Sequence, residues 1–238
     1  NHMLDRLSDT ISSQRDFVAD ASHELRTPLT VIRGQLEVLA AQEHPTAEEI
    51  RRVDRLVGAE IGRISRLVDD LLVLAQAERV DFLQAEPIDV GSFVSELWDG
   101  VSLTAQRRFE LGEFPPGRLL ADPDRLAQAL RNLARNAIEH TSEPEGLVRL
   151  EVGPLHRGWI RFAVLDDGPG IAPADRERVF ERFARMDGAR SRVSGGAGLG
   201  LAIVRAVAEA HGGHVRVADG PGGKGASVQL ELPGFNPG

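Results

Sequence analysis

Residues 17–39 read FVADASHELRTPLTVIRGQLEVL. Within them Leu25, Leu29, Ile32, Leu36 and Leu39 recur at alternating steps of four and three, and Val18 and Ile11 extend the row backwards. That spacing is the a/d seam of helices packed in a bundle. With Leu25 at d, His23 falls at b, which faces water, so this imidazole is poorly placed for a core. Glu24 follows it directly, and Thr27 lies one turn on along the same face. Pro28 sits inside the helical pattern, where it cannot donate to the Glu24 carbonyl and its ring presses on that turn, so a kink is expected beside the histidine. A lone exposed histidine on an amphipathic helix is usually just a solvated residue. Here an acid, a hydroxyl and a helix-distorting proline converge on it, which favours a reaction centre.

Working outward, the first helix is expected over 4–41, ending at the turn signal Glu43-His44-Pro45-Thr46. Thr46 with Glu49 three residues on forms a capping box. The second helix then carries Ile50, Val53, Val57, Ile64, Leu67, Leu71 and Leu74 at near-heptad spacing to about residue 77. Two long helices with a short connection make an antiparallel hairpin. A hairpin alone leaves an apolar stripe uncovered, so pairing with a second copy into a dimeric four-helix bundle is preferred over packing on the chain's own second domain. Pro87 breaks the pattern, marking a linker over 79–89. Beyond it the reading alternates: helix 89–105, short strands near 109 and 119, helix 122–140, strands 147–152 and 159–165, helix 173–183, a Gly-rich stretch, helix 198–210, and strands 214–218 and 226–232. This mixture suggests an α/β sandwich, one sheet covered by helices on one face.

Composition excludes several classes of function. The net charge of -8 argues against nucleic acid as the main partner, because a phosphate backbone demands a basic surface. No cysteine is present, so thiolate metal sites and disulfides are excluded. No apolar run approaches the roughly 20 residues needed to span a bilayer. The N-terminal Asn1-His2-Met3 can be read either as a remnant of cloning or, with Leu4-Asp5-Arg6-Leu7, as the end of a signal-relay helix. The second reading is preferred.

Three pieces of the second half read as one nucleotide site. In NLARNAIEH, Asn132 and Asn136 stand four apart and share a helix face, and an amide oxygen can complete the oxygen shell that Mg²⁺ prefers. Taken alone, two such asparagines are more often polar surface. Asp166-Asp167-Gly168-Pro169-Gly170 follows the apolar run at 160–165. A carboxylate at a strand end can accept from an adenine amine while the glycines let backbone approach the base. Gly195-Gly196-Ala197-Gly198-Leu199-Gly200-Leu201 leads glycines into a helix, which aims free amides and the positive helix end at phosphate.

His23-Glu24-Leu25-Arg26-Thr27-Pro28-Leu29 resembles the phospho-acceptor box of the sensor histidine kinases of two-component signalling. The later pieces, with Phe180 and Phe183 in VFERFAR, resemble that family's asparagine, glycine and phenylalanine boxes in their usual order. The resemblance implies a HAMP-type relay end over 1–9, a dimerisation and histidine phosphotransfer domain over 10–80, and a Bergerat-fold ATP-binding domain over 86–238. It implies that His23 is the nucleophile, that Glu24 accepts a proton or fixes the ring tautomer, and that Thr27 orients water for dephosphorylation of a response regulator. ATP and Mg²⁺ are the implied cofactors. Asp166 would bind the adenine amine, Asn136 the Mg²⁺, and Asn132 would support the phosphates. Gly168, Gly170, Gly196, Gly198, Leu199 and Gly200 would shape the pocket. The implied partners are a second copy and a response regulator, and the implied setting is the cytoplasmic portion of a bacterial inner-membrane sensor whose membrane region lies upstream. Rival readings are a Bergerat-type ATPase that moves protein segments and a dimeric signalling scaffold that binds ATP without using it or acts mainly as a regulator phosphatase. One departure stands out: many relatives carry Lys or Arg three residues after the metal-binding asparagine, and this chain has Glu139. Lid residues such as Arg185, Arg190 or Arg192 could supply the missing charge. His140 could donate to phosphate or simply end its helix.

Overall fold

The computed structural model describes residues 2–77, 79, 81–184 and 197–238, with side chains from residue 17 onward and without that of Arg157. The chain divides into two compact units, Asn1–Leu72 and Val73–Gly238.

The first unit is built on α1 (His2–Ala40) and α2 (Ala47–Gln76). Helix α1 continues through Pro28, which is buried. Around it the hydroxyls of Ser22, Thr27 and Thr30 each donate to the carbonyl four residues back, at 2.7, 3.3 and 2.9 Å. Such back-bonding weakens a helix locally. The capping box of α2 is formed in both directions: Glu49 N donates to Thr46 Oγ1 at 3.2 Å, and Thr46 N to Glu49 Oε2 at 2.8 Å. The seam is only half covered. Leu25, Ile32 and Leu39 are half-buried, but Leu29 (55% exposed), Leu36 (48%), Ile50 (47%) and Ile61 (53%) face outward, more apolar surface than a finished fold leaves bare. The heptad row of α2 skips position 60, and there Glu60 buries Oε2 with no hydrogen-bond partner among the described residues.

The second unit holds β1 (Glu86–Asp89), α3 (Val90–Ser102), β2 (Arg108–Leu111), β3 (Gly117–Ala121), α4 (Pro123–His140), β4 (Leu147–Pro154), β5 (Trp159–Asp166), α5 (Gly200–Ala210), β6 (His214–Asp219), β7 (Ala226–Pro233) and β8 (Phe235–Pro237). Five strands form the main sheet in the order β2-β4-β5-β7-β6, antiparallel except for β2 against β4. Alternation along the strands puts Leu150, Phe162, Val164, Val228 and Leu230 on one face. All are nearly or fully buried, as are Leu126, Leu130 and Leu133 of α4 and Ile203, Val204 and Val207 of α5, the helices packed against this sheet.

Two expectations need correction. Residues 86–89 are not linker but strand β1, the edge of a second sheet ordered β1-β3-β8, so the described residues form two sheets rather than one. Pro87 is tolerated because an edge strand can carry a residue with no amide to give. The helix expected over 173–183 is instead two 3-10 turns, Pro173–Asp175 and Arg178–Phe180. The segment's buried residues, Val179 and Phe180, are adjacent and cannot form a helical stripe.

Asp122 fastens three segments together. Its Oδ1 caps α4 by accepting from Arg125 N at 2.9 Å, its Oδ2 accepts from Gln84 N at 2.8 Å, and its own amide donates to His211 Nε2 at 3.0 Å. His211, at the end of α5, donates through Nδ1 to Val207 O at 2.8 Å. Beside this knot the Arg125 guanidinium lies 4.6 Å from the centre of the buried Phe82 ring.

Candidate functional site

The chemistry-bearing residues fall into two sets, one in each unit. On α1, His23 is exposed, as the heptad reading places it. Thr27 is also exposed, and its Oγ1 donates to the His23 carbonyl at 3.3 Å, leaving the oxygen's lone pairs to accept from water. Glu24 is half-buried, and its Oε2 lies 3.8 Å from Arg63 Nη2 of α2.

In the second unit Asp166 ends β5 on the inward row that begins with Ile160, Phe162 and Val164, so a carboxylate takes a position where an apolar side chain would fit. It is 3% exposed. Burial pushes its carboxyl above the usual aspartate value, against the pull of the amides of Gly168 and Ala226 and of nearby His140. Both amides donate to Oδ1, at 2.9 and 3.2 Å, so Oδ2 is the oxygen left to accept from a ligand. Gly168 is required by space: a Cβ there would stand 2.5 Å from the His140 carbonyl and 3.0 Å from Asp166 Oδ1. At Gly170 a Cβ would stand 2.8 Å from Gly225 O.

Asn132 and Asn136 project from α4, the first 6% exposed and the second half-buried. Asn132 Oδ1 accepts from Arg135 Nη2 at 2.8 Å, while Asn132 Nδ2 is buried without a partner among the described residues. Gly200, which opens α5, lies against this pair: a Cβ on it would be 3.0 Å from Arg135 Nη2 and 3.8 Å from Asn132 Cγ. Gly198 adopts φ +73° with its Cα against the Phe183 and Ala184 backbone, and Leu199 is a core residue at 1% exposure. His140 is exposed at the end of α4, its carbonyl on Gly168, so it belongs to the Asp166 end of the helix. Arg185, Arg190, Arg192 and Gly196 lie outside the described residues.

Helix α4 is therefore a ruler. Eight residues separate Asn132 from His140, roughly 12 Å of helix, with Asn136 midway. One end offers a buried carboxylate oxygen beside close-set glycines, and the other, beside a helix N-terminus, an amide nitrogen with no partner among the described residues. These ends fit a nucleotide with its base at Asp166 and its phosphates at Asn132. Among the described residues no group of three or more His, Cys, Asp or Glu side chains could hold a metal ion. The donor set fits a cation that arrives with phosphate ligands, for which Asn136 would supply one protein oxygen.

Residues 13–79 match the family described as the His Kinase A (phospho-acceptor) domain, and residues 121–235 match the histidine kinase-, DNA gyrase B-, and HSP90-like ATPases. The solved structure of the mycobacterial sensor histidine kinase MprB is 32% identical and is covered over its whole length by 64% of this chain, with a TM-score of 0.57. The chain belongs to the sensor histidine kinases. Full-length ShkA, solved in complex with AMPPNP, is 33% identical over 94% of this chain and 46% of its own, with a TM-score of 0.67. The probable sensor histidine kinase TcrY of Mycobacterium tuberculosis is 40% identical over 100% of this chain and 51% of its own length. The chain spans about half the length of the curated relatives it matches.

Three contributors to this histidine kinase site carry no role of their own in the sequence motifs. Gly225, at φ +71°, lets its turn press on the Asp166 backbone, where a Cβ would meet Asp166 O at 1.9 Å. The glycine-rich run 220–225 carried that signal, but only the register of β7 against β5 shows where it lands. Asp167 accepts from Leu147 N at 2.9 Å and so ties the glycine turn to β4. Arg135 is the third.

Proposed function

We propose that this chain is an ATP-dependent protein-histidine kinase that phosphorylates its own His23 and passes the phosphoryl group to an aspartate of a response regulator. The observation that carries the reading is the presence, in one chain, of an exposed histidine in an acceptor helix and a carboxylate buried to 3% exposure beside glycine turns. A nucleophile must be presented; a base pocket must be dry. One imidazole nitrogen of His23 attacks the γ-phosphorus as the bond to the ADP oxygen breaks, and Glu24 accepts the ring proton or holds the tautomer. Asp166 Oδ2 accepts from the adenine amine. Asn132 and the α5 N-terminus hold phosphate oxygens, and Asn136 would give its amide oxygen to Mg²⁺. Bound Mg²⁺ supplies neutralisation of the phosphate charge. Thr27 Oγ1 orients water when the same surface dephosphorylates the regulator.

Residues 10–80 form the dimerisation and phosphotransfer domain and 86–238 the ATP-binding domain in this reading, supported by the matched stretches 13–79 and 121–235. The outward-facing Leu29, Leu36 and Ile61 support a homodimer through the hairpin. Among the described residues no helix is long and apolar enough to cross a membrane. The relatives are sensor proteins about twice as long as this chain, which supports a cytoplasmic portion following an upstream HAMP-type relay and membrane sensor.

The test is incubation with γ-labelled ATP and Mg²⁺. The expected product is acid-labile, alkali-stable label that is lost in His23→Gln while ATP affinity stays within about twofold, the usual limit for a substitution remote from a site. Label persisting at the wild-type level in His23→Gln overturns the assignment.

A further inference from the structure

We infer that Arg135 is a positioning residue for the phosphate end of the nucleotide, holding the Asn132 amide so that its NH₂ group is offered to a phosphate oxygen. The inference rests on the reading of this site as one for ATP and adds a residue that the glycine and asparagine boxes do not name.

Three observations converge. Arg135 Nη2 donates to Asn132 Oδ1 at 2.8 Å, which settles the amide's orientation: the oxygen faces the guanidinium and the nitrogen faces away. That nitrogen is buried and has no partner among the described residues, in a side chain 6% exposed. A buried donor kept unpaired is costly, and such groups persist where a ligand's acceptor completes them. The third observation is α5. Its first residue, Gly200, sits against Arg135 and Asn132, and its cap residue, Leu199, makes no side-chain cap hydrogen bond, so the opening amides of an 11-residue helix are not taken by a capping side chain. A helix N-terminus, an amide donor and a guanidinium thus share one spot, and all three favour an anion.

The chain's departure from its relatives gains a physical account. At the position where many of them place a basic residue, Glu139 is exposed on α4. Arg135 is one turn earlier on the same helix face. The guanidinium on α4 thus serves the phosphates by fixing the Asn132 amide rather than by reaching them itself. It is joined to the helix start through Asn132 instead of reaching out from the end near His140.

Binding of ATP and of adenosine to the whole chain, measured by calorimetry without turnover, tests this. Arg135→Gln should weaken ATP about tenfold, the value of one charge-assisted hydrogen bond, and leave adenosine within about twofold. Arg135→Lys should recover part of the loss. Asn132→Ala should lose as much as Arg135→Gln, and the double variant should be no weaker than Asn132→Ala alone, because one residue acts through the other. Thermal melting of each variant checks that α4 has kept its place. Equal losses for ATP and adenosine overturn the inference, since they report a displaced helix. Fully additive losses in the double variant overturn it too, since the two residues would then act separately. If the wild-type chain bound neither ATP nor adenosine, the ATP reading would fall first and this inference with it.

Discussion

The two units solve opposite problems. The second closes on itself: Val94, Leu126, Leu130, Phe162 and Ile203 are all fully buried within one chain. The hairpin does not close, leaving Leu29, Leu36 and Ile61 about half exposed. The reactive groups follow the same division. His23 is exposed on a helix whose apolar stripe is only half covered, whereas Asp166 is enclosed in the core of the second unit. In the proposed function the acceptor meets a nucleotide, a regulator and water in turn and so needs access, and the pocket proposed for the adenine amine needs exclusion of water. In that reading the incompleteness of the first unit and the completeness of the second both serve the reaction.

The largest effect that could break this contrast is at the hairpin. Leu29→Glu combined with Leu36→Glu should weaken self-association by about 100-fold or more, since burying one leucine is worth roughly 1.5–3 kcal/mol and a dimer buries each site twice. ATP affinity should not change. Analytical ultracentrifugation and calorimetry give the two readings, and an unaltered dimer would mean that this stripe faces something else.

Next in size is Asp166→Asn. Replacing Oδ2 by an amide nitrogen turns a donor toward the adenine amine, and ATP affinity should fall roughly tenfold or more. The fold should gain stability. Folding favours the protonated form of a carboxyl whose value is raised, so Asp166 weakens the native state increasingly as pH rises from the usual aspartate range through its own raised value, and asparagine removes that cost at neutral pH. In the wild type, ATP affinity should decline on acidification from a pH above that at which an ordinary aspartate titrates. Denaturant melts of both forms across pH would show it, and a less stable Asp166→Asn at neutral pH would contradict the burial argument.

The smallest effect is expected at Glu139. Because that side chain is exposed, Glu139→Lys should improve ATP affinity by less than about threefold, within the 0–1 kcal/mol typical of exposed charges. A tenfold change in either direction would show that the carboxylate meets the phosphates.

The sequence was most readable where chemistry and periodicity coincide. The heptad row placed His23 on the outside of α1, and the end of the apolar run at 160–165 placed Asp166 at a strand terminus. It was least readable where the decisive neighbour is distant in the chain. Arg135 looks like one more solvated charge until Gly200 is seen beside it, and Gly225 looks like a loop glycine until β7 pairs with β5. Pro87 misled for a local reason, because a proline that breaks a central strand is harmless on an edge. Residues 173–183 misled because their composition suits a helix although their apolar residues have no helical period.

The knot at Asp122 sets how mechanical load would enter the second unit. Gln84, in the chain leading from α2, is stitched by its amide to the residue that caps α4 and that holds the end of α5 through His211. A pull or twist on that stretch of chain would meet these two helices as well as β1, which begins two residues further on. They run antiparallel for about ten residues each, roughly 15 Å, from the knot to the place where Gly200 meets Asn132. The pair is fastened at one end by the knot, and the groups proposed to hold phosphate stand at the other.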